Sequence, residues 1–572
     1  MFLSSLLIEC DSHVIRNIVF HKGVNFIVDE TKSSSGDGKV SGNNIGKTTV
    51  LRLIDFCLNG SDKKIYQSKE FKNNVNESVK NFLIEENVTV TLKLQENLED
   101  PLSRELTICR NFLSGSKKIL EINSQPVLAK DFDMELKKQI FDFDEEKPTF
   151  KQLKAKNIRD EAERLENTVR VLGSFGKLEE YEALYLFWLG VEYPDSERKR
   201  LLLEERALEE KLYNRLFDGT SESKLKQFLK IVEHDIRVLE IKKDNFNLNE
   251  QYESDLTLLN KARAKLNSLY TQQSQLDLRR ELIEESYSEL KKDLVDNQAK
   301  ELADIYAQAE ILLPDLQKTY DETVEFHNKM VREKMHFVAD ELPKVNSSLA
   351  RLNSEIQTYL VEEKRLVDKL QKSDTVDELQ HVISELNSNF EQKGKFEERL
   401  EQLTNSKNTL LKIDNQLSNI DKSIYAFDAL IQDRITIFNR YFSEISNNLY
   451  GEKFAMSATF EQKRNSEQHF YKLYIDSLDG QTGTGKKKGE IAAFDIAYVK
   501  FAEKIGIKCL HFILHDQMEV VDDNQIEGFV KEAVNANCQF VVPILRDKLP
   551  KSVDKPEYQV LSLSQSDKLF KI

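Results

Sequence analysis

Eight residues, Ser41-Gly42-Asn43-Asn44-Ile45-Gly46-Lys47-Thr48, have the types and order that bind phosphate. An apolar run with strand character, Val24-Asn25-Phe26-Ile27-Val28, precedes them. A run with helix character, Thr49-Val50-Leu51-Arg52-Leu53-Ile54-Asp55-Phe56, follows. Strand, glycine-rich turn, Gly-Lys-Thr and helix make a P-loop arrangement. Backbone N–H groups of Gly42, Asn43, Asn44, Gly46 and Thr49 and the positive end of the helix are placed to cradle nucleotide phosphates. Lys47 reaches the β and γ phosphates, and the Thr48 hydroxyl takes a place on Mg²⁺, so ATP with Mg²⁺ is the expected ligand. The pattern departs at its first glycine, where Ser41 stands with Gly42 beside it. A glycine-rich loop with a chance Gly-Lys-Thr is the bland alternative, and the flanking elements tell against it.

A second set of residues lies near the other end. Cys509-Leu510-His511-Phe512-Ile513-Leu514-His515-Asp516 reads as a buried strand over 509–514 that runs into an acid. In a P-loop fold such a strand is expected beside the P-loop strand, with its terminal Asp516 on Mg²⁺. A buried strand capped by a surface aspartate is the alternative. Upstream, Asp479-Gly480-Gln481-Thr482-Gly483-Thr484-Gly485-Lys486-Lys487-Lys488-Gly489-Glu490 is rich in glycine and lysine and opens a helix over 490–505. A glycine-rich loop at a helix N-terminus is a second anion site, with Gly485, Lys488 and Gly489 against the ligand. A flexible surface loop, or lysines that touch DNA phosphate, are the competing readings.

More than 460 positions separate Thr48 from Asp516. The intervening chain must therefore return on itself if the two sets share a site. Residues 1–195 read as mixed α/β, with strands expected at 14–20, 24–28, 87–94 and 104–112 and an aromatic helix over 178–194. Residues 431–572 regain that character, with strands at 453–461, 469–476 and 539–544. Between them, over 196–430, glycine nearly vanishes and Leu, Glu and Lys dominate. Leu259, Ala262, Leu266, Leu269, Gln273, Leu276, Arg280, Ile283, Tyr287, Leu290 and Leu294 alternate three and four apart, a heptad seam. Leu349, Leu352, Ile356, Tyr359, Glu363, Leu366 and Leu370 repeat the pattern. So do Phe396, Leu400, Leu403, Leu410, Leu417 and Ile424. Breaks fall at 218–221 and 245–247. Pro314, near the middle, cannot continue a helix and disfavours helix just before it. These features predict an antiparallel intramolecular coiled coil turning near Pro314, each arm reaching on the order of 150 Å, less at breaks. A parallel dimeric rod is the alternative.

Charged residues make up 31% of the 572 and the net charge is −16. That balance suits exposed helices and argues against a surface coated for nonspecific DNA binding. Cys10, Cys57, Cys109, Cys509 and Cys538 are scattered without a Cys-x-x-Cys pair, the usage of reduced core thiols in a cytoplasmic protein. No basic, apolar leader opens the chain, and no stretch of 18 apolar residues occurs, so neither export nor a membrane span is expected.

With these motifs in place, the layout resembles the SMC-like ABC ATPases, which include chromosome-organising SMC proteins and coiled-coil repair ATPases. The resemblance implies an α/β ABC-type P-loop head built from both termini. Lys47 and Thr48 match its Walker A residues and Asp516 its Walker B acid. The loop 484–490 stands where the ABC signature stands, to cover the γ-phosphate held by the opposite head of a homodimer. Gln152 matches the Q-loop residue, and Asp522 or Asp523 falls in the D-loop. Gln517 occupies the place of the usual general base. It can orient water but cannot take its proton, and His515, Glu519, Asp522 and Asp523 are the nearby candidates to compensate. The signature Ser-Gly-Gly-Glu is reduced to Lys488-Gly489-Glu490. No switch histidine follows the strand 539–544, where Val541-Val542-Pro543-Ile544-Leu545-Arg546 stands. These departures predict slow hydrolysis and a switch driven by binding. Without a cysteine pair near Pro314, no zinc hook is expected, and no compact hinge domain fits between the arms.

The segments "FHKGVNFIVDE", "GNNIGKTTVLRLIDFCL", "LLPDLQKTYDETVEFHNKMV" and "FILHD" are similar to a narrower group. These are the coiled-coil ATPases of bacterial ABC-three-component conflict systems, including the SMC-like subunit of Lamassu-type anti-phage defence. That resemblance implies a sensor of DNA ends or unusual DNA that controls an effector nuclease subunit, with a small accessory subunit. A housekeeping DNA-repair ATPase of the same fold, and a coiled-coil scaffold with a non-hydrolysing head, are the competing functions.

Overall fold

The computed structural model describes all residues except 11–12, 31–44, 68–74, 161, 174–175, 218–220, 245–249, 293–331, 333–334, 337–338, 371–376, 465, 479–486 and 517–522. Among the sequence expectations, those on Ser41, Gly42, Asn43, Asn44, Pro314, Gly485, Lys486, Gln517, Glu519 and Asp522 lie outside the described residues, as do those on the side chains of Lys488 and Asp523.

The front of the chain carries β1 (Phe2–Cys10), β2 (His13–Val19), β3 (Gly23–Asp29), α1 (Lys47–Cys57), α2 (Lys63–Tyr66), α3 (Glu77–Glu85), β4 (Thr89–Gln95), β5 (Glu105–Asn111), β6 (Leu120–Ile122), β7 (Gln125–Pro126), α4 (Phe132–Phe141), α5 (Phe150–Lys154), β8 (Ile158–Arg159), α6 (Ala162–Glu166) and α7 (Leu178–Trp188). Long helices follow: α8 (Ser196–Phe217), α9 (Glu222–Asp244), α10 (Glu250–Lys292), α11 (Leu342–Leu370) and α12 (Asp377–Tyr425). The rear carries α13 (Asp428–Tyr450), β9 (Phe454–Gln462), β10 (His469–Ser477), α14 (Lys487–Ile505), β11 (Phe512–His515), α15 (Asp523–Asn535), β12 (Gln539–Leu545) and β13 (Gln559–Leu563). Two compact units result: 1–200 with 419–572, and the helical stretches within 201–418.

In the first unit, front and rear segments share one sheet. It is parallel, in the order β13-β3-β12-β11-β8. Every residue of β3 and β11 is buried, as a parallel sheet covered on both faces requires. The sequence places β11 beside β3, and the structure corrects this: β12 pairs with both and lies between them. The crossover helix α15 packs against β3, its Val534 reaching Gly23, which places β12 beside β3. The carboxyl ends of β3 and β11 still open on the same edge, where ligands of open α/β sheets bind. The strand expected at 509–514 begins only at Phe512. Before that point the backbone turns to the other sheet, and His511 N–H donates to the Met1 carbonyl at 2.8 Å.

That other sheet is antiparallel, in the order β2-β1-β4-β5-β6-β7. Along β4 the alternation is clean, with Val90, Leu92 and Leu94 buried and Thr89, Thr91 and Lys93 half-buried. Gln539, fully buried on β12, ties the sheets together: its side chain exchanges two hydrogen bonds, at 2.7 and 2.8 Å, with the backbone of Leu3. Helix α14 is buried along Ile491–Val499 and packs Phe494 against Phe438 and Phe442 of α13, ring centroids 5.1 and 5.8 Å apart. Where the long helices leave this unit, the buried Lys199 ammonium bridges Glu182 at 2.7 Å and Asp421 at 2.9 Å.

In the second unit, α10 and α11 pair antiparallel. Leu256 and Leu259 meet Leu366, Leu266 and Leu269 meet Leu352 and Ile356, and Ile283 meets Val345 and Leu349. Leu259, Leu266, Leu269, Ile283, Leu349, Leu352, Ile356 and Leu366 are seam positions read from the heptads, Leu256 and Val345 extend the two seams by one position each, and Tyr287 is exposed. Helices α8 and α9 pair with α12 in the same sense, through Leu216, Leu225 and Leu403 and through Val232, Ile236 and Leu386. The expected continuous reach is not what forms. Leu256 also packs on Ile383, Leu278 lies with Leu212 and Tyr213, and Arg215 pairs with Glu285 at 2.6 Å, so α10 and α11 double back along α12 and α8. The apolar positions in excess of one seam make this possible, because a stripe wider than a/d seeks a third helix. No helix among the described residues is long and apolar enough to cross a membrane.

Candidate functional site

β3 delivers the chain to Asp29, whose carboxylate is fully buried and lies 3.7 Å from Lys47 Nζ. At the other side of the loop, Gly46 has φ +94°, backbone that a side chain disfavours. It caps α1 as a glycine, with no side chain of its own to bond the first-turn N–H groups. Lys47, Thr48 and Thr49 form that first turn.

The rear of the chain meets this turn directly. Thr48 Oγ1 donates to Asp516 Oδ1 at 3.3 Å. Asp516 is held in place by its own N–H, which donates to the carbonyl of Arg159 at 3.0 Å, extending the pairing of β11 with β8. A hydroxyl and a carboxylate are the two hard oxygen donors expected beside a nucleotide-bound Mg²⁺. Among the described residues no group of three or more His, Cys, Asp or Glu could hold a metal by itself.

A second rear segment braces the loop. Leu569 N–H donates to the Ile45 carbonyl at 3.1 Å, and a Cβ on Gly46 would lie 2.7 Å from the Leu569 Cβ. Arg16 fixes this segment: it donates to the carbonyls of Lys568 and Leu569 at 2.8 and 3.2 Å and pairs with Asp567.

Behind the first turn, α1 is locked to α5. Lys154 binds the Asp55 carboxylate and the Leu58 carbonyl, and Lys64 lies 3.3 Å from Asp55. Burial would raise the Asp55 pKa, but the two ammonium groups outweigh it and hold the carboxyl below its ordinary range. Burial pushes Lys154 down to about 8 in spite of Asp55. Gln152, on the same short helix, sits in a capping box: its carboxamide oxygen accepts the Thr149 N–H at 2.9 Å.

The start of α14 is also constrained. Gly489 lies against the ring of Tyr450 so closely that a Cβ would fall within it. The adjacent Glu490 carboxylate is buried and accepts from Thr168 Oγ1.

Thus the structure brings Lys47, Thr48 and Asp516 together, with Thr49 in the same turn. It places Gly489 at the N-terminal end of α14 and Gln152 in its own helix cap. His515 is fully buried, its ring nitrogen Nδ1 3.0 Å from the Asp516 carbonyl. Sequence reasoning missed Asp29, Arg159 and the Leu569 segment. Asp29 had the same signal as Asp516, an acid at the end of an apolar strand. Arg159 and Leu569 had none, since each acts through backbone groups far away in sequence.

The fold is a mixed α/β unit in which both ends of the chain share one parallel sheet, with antiparallel pairs of long helices inserted between them in sequence. Residues 445–572 match the family described as "Uncharacterised protein conserved in bacteria (DUF2326)". The chain is 20% identical over 589 residues to "Uncharacterized protein YydD" of Bacillus subtilis (strain 168), over 96% of this chain and 94% of that one. Among solved structures it is similar to the Smc head domain with a coiled coil and joint derived from Pyrococcus yayanosii, at a TM-score of 0.40 and 16% identity, over 99% of this chain and 96% of that one. It is also similar to the recombination mediator protein RecF-ATP, at a TM-score of 0.28 and 11% identity, over 97% and 93%.

Proposed function

We propose that this chain is an SMC-like ABC-type ATPase subunit that binds ATP with Mg²⁺ where its two ends meet. The observation that carries the reading is the contact of Thr48 with Asp516 at the carboxyl edge of a shared parallel sheet. The residues fit the ligand. The positive N-terminal end of α1 and Lys47 suit phosphate, while Thr48 and Asp516 suit a hard divalent cation that completes its shell with phosphate oxygens and water. Mg²⁺ bound there supplies charge neutralisation on the phosphates.

In this reading Lys47 orients the β and γ phosphates and Asp29 holds the lysine in its approach. Asp516 keeps the Thr48 hydroxyl turned toward the cation, and the Leu569 segment fixes the loop. Gln517 orients the attacking water without accepting its proton, which makes turnover slow. Two heads pair so that the loop containing Gly485, Lys488 and Gly489 covers the nucleotide of the opposite head. The resemblance of the opening, mid-coil and β11 segments to conflict-system ATPases supports the finer reading: a bacterial defence sensor that engages DNA and restrains an effector nuclease subunit, with an accessory subunit.

Two assays test this. Wild type should turn over ATP slowly and Lys47→Ala should lose turnover; a wild type that binds no nucleotide leaves the scaffold reading. Linear and circular DNA should be retained at physiological salt in gel shifts, and failure of both removes the DNA claim.

A further inference from the structure

Arg159 is the last residue of β8 and is completely buried. Its carbonyl receives the Asp516 N–H at 3.0 Å. Its guanidinium uses all five N–H donors. Nε and Nη2 clasp the two carboxylate oxygens of Asp495 at 2.8 and 2.7 Å. Nη1 donates to the carbonyls of Arg164 and Asn167, both at 2.9 Å, and Nη2 to that of Thr168 at 3.1 Å. Asp495, itself buried, lies on α14, the helix opened by the signature-like loop. Thr168, whose carbonyl Arg159 holds, donates its hydroxyl to Glu490 in the first turn of that helix.

We propose that Arg159 is a positioning residue that ties the Mg²⁺ carboxylate to helix α14. Backbone displacement at Asp516 acts on Arg159 through the ladder of β8 and β11. The bidentate fork is planar and geometrically strict, so Arg159 carries the displacement to α14 at Asp495 and, through Thr168, at Glu490. Nucleotide held by one head thereby sets the orientation of the surface that meets the other. The inference rests on the function proposed above.

Full-length Thr168→Val, Asp495→Asn and Arg159→Lys test it, with three readings: affinity for a fluorescent ATP analogue with Mg²⁺, self-association at saturating Mg·ATP by analytical ultracentrifugation, and kcat. Thr168→Val breaks only the link to Glu490, so it decides the matter if either ion-pair variant fails to fold. The expected result is nucleotide affinity within about threefold of wild type, with ATP-dependent association weakened at least tenfold and kcat falling in parallel. Arg159→Lys should not rescue, because an ammonium cannot fork. Folded Thr168→Val that associates and turns over like wild type overturns the inference, as does a loss confined to nucleotide affinity. Wild type that binds Mg·ATP without self-associating also overturns it. A wild type that binds no Mg·ATP instead refutes the proposed function.

Discussion

The hydroxyl of Thr48 and the carboxylate of Asp516 are 3.3 Å apart although 468 positions separate them in the chain. The contact requires the inserted helices to return the chain to its starting unit. It also requires β3 and β11 to end on one edge of a common sheet. Disturbing either requirement should disturb the site.

Gly46 is the most sensitive backbone position. Its φ of +94° and the Leu569 Cβ lying 2.7 Å from any added Cβ leave no room for a side chain. Gly46→Ala should cost about 1–3 kcal/mol of strain and displace the first turn of α1. A fluorescent ATP analogue should then bind at least tenfold more weakly. Leu569→Gly in the same chain removes the clash, which is with the Leu569 Cβ, but not the φ strain, so recovery should be partial. Full recovery would place the whole effect on the brace.

At Gly489 packing, not backbone conformation, sets the cost of a side chain. Its Cβ would fall within the Tyr450 ring, so Gly489→Ala should destabilise the unit by about 1–3 kcal/mol through overpacking. Pairing it with Tyr450→Ala relieves the clash, and a double-mutant cycle should show strong coupling of the two substitutions. Additive effects would contradict the contact.

Much of this was legible in sequence. The P-loop context, the β4 alternation and the heptad seams each rest on a short-range pattern, and a local pattern is what a sequence displays. The position of β12 between β3 and β11 was not legible, because strand order depends on how α15 packs over the sheet. Helix α13 was also missed: Phe438 and Phe442 face a helix more than 50 residues later, so their role emerges only from the tertiary contact. The doubling back of α10 and α11 has the same origin. Heptad spacing specifies one partner, and the third helix is chosen by side positions such as Leu278.

Asp55 should govern acid stability. Its folded pKa lies below the ordinary 3.8 because Lys154 and Lys64 outweigh burial. Between its folded value and 3.8 the unfolded chain binds more protons, so its contribution is full above 3.8 and is lost as pH falls through the folded value. Asp55→Asn leaves Lys154 buried without its carboxylate and should cost about 3–5 kcal/mol at pH 7. The gap in thermal midpoint between wild type and variant should narrow as pH falls below 3.8. A gap that stays constant into strong acid would contradict the ion-pair assignment.

Antiparallel pairing of α10 with α11 places Arg263 Nε 2.5 Å from Glu363, both partly exposed. Reversing either charge alone should cost up to about 1 kcal/mol, and reversing both should restore most of it. Circular dichroism melts of the four chains provide the check. No restoration would break the register.

The central claim is that front and rear of the chain make one nucleotide site. Its most direct measurement is calorimetric titration of ATP with and without Mg²⁺ into wild type, Lys47→Ala and Asp516→Asn. Wild type should bind ATP more tightly with Mg²⁺ than without it, Lys47→Ala should lose binding in both conditions, and Asp516→Asn should lose only the Mg²⁺-dependent gain. Binding by Asp516→Asn with the full Mg²⁺ gain would show that the rear carboxylate takes no part in the site, and the account would fail there.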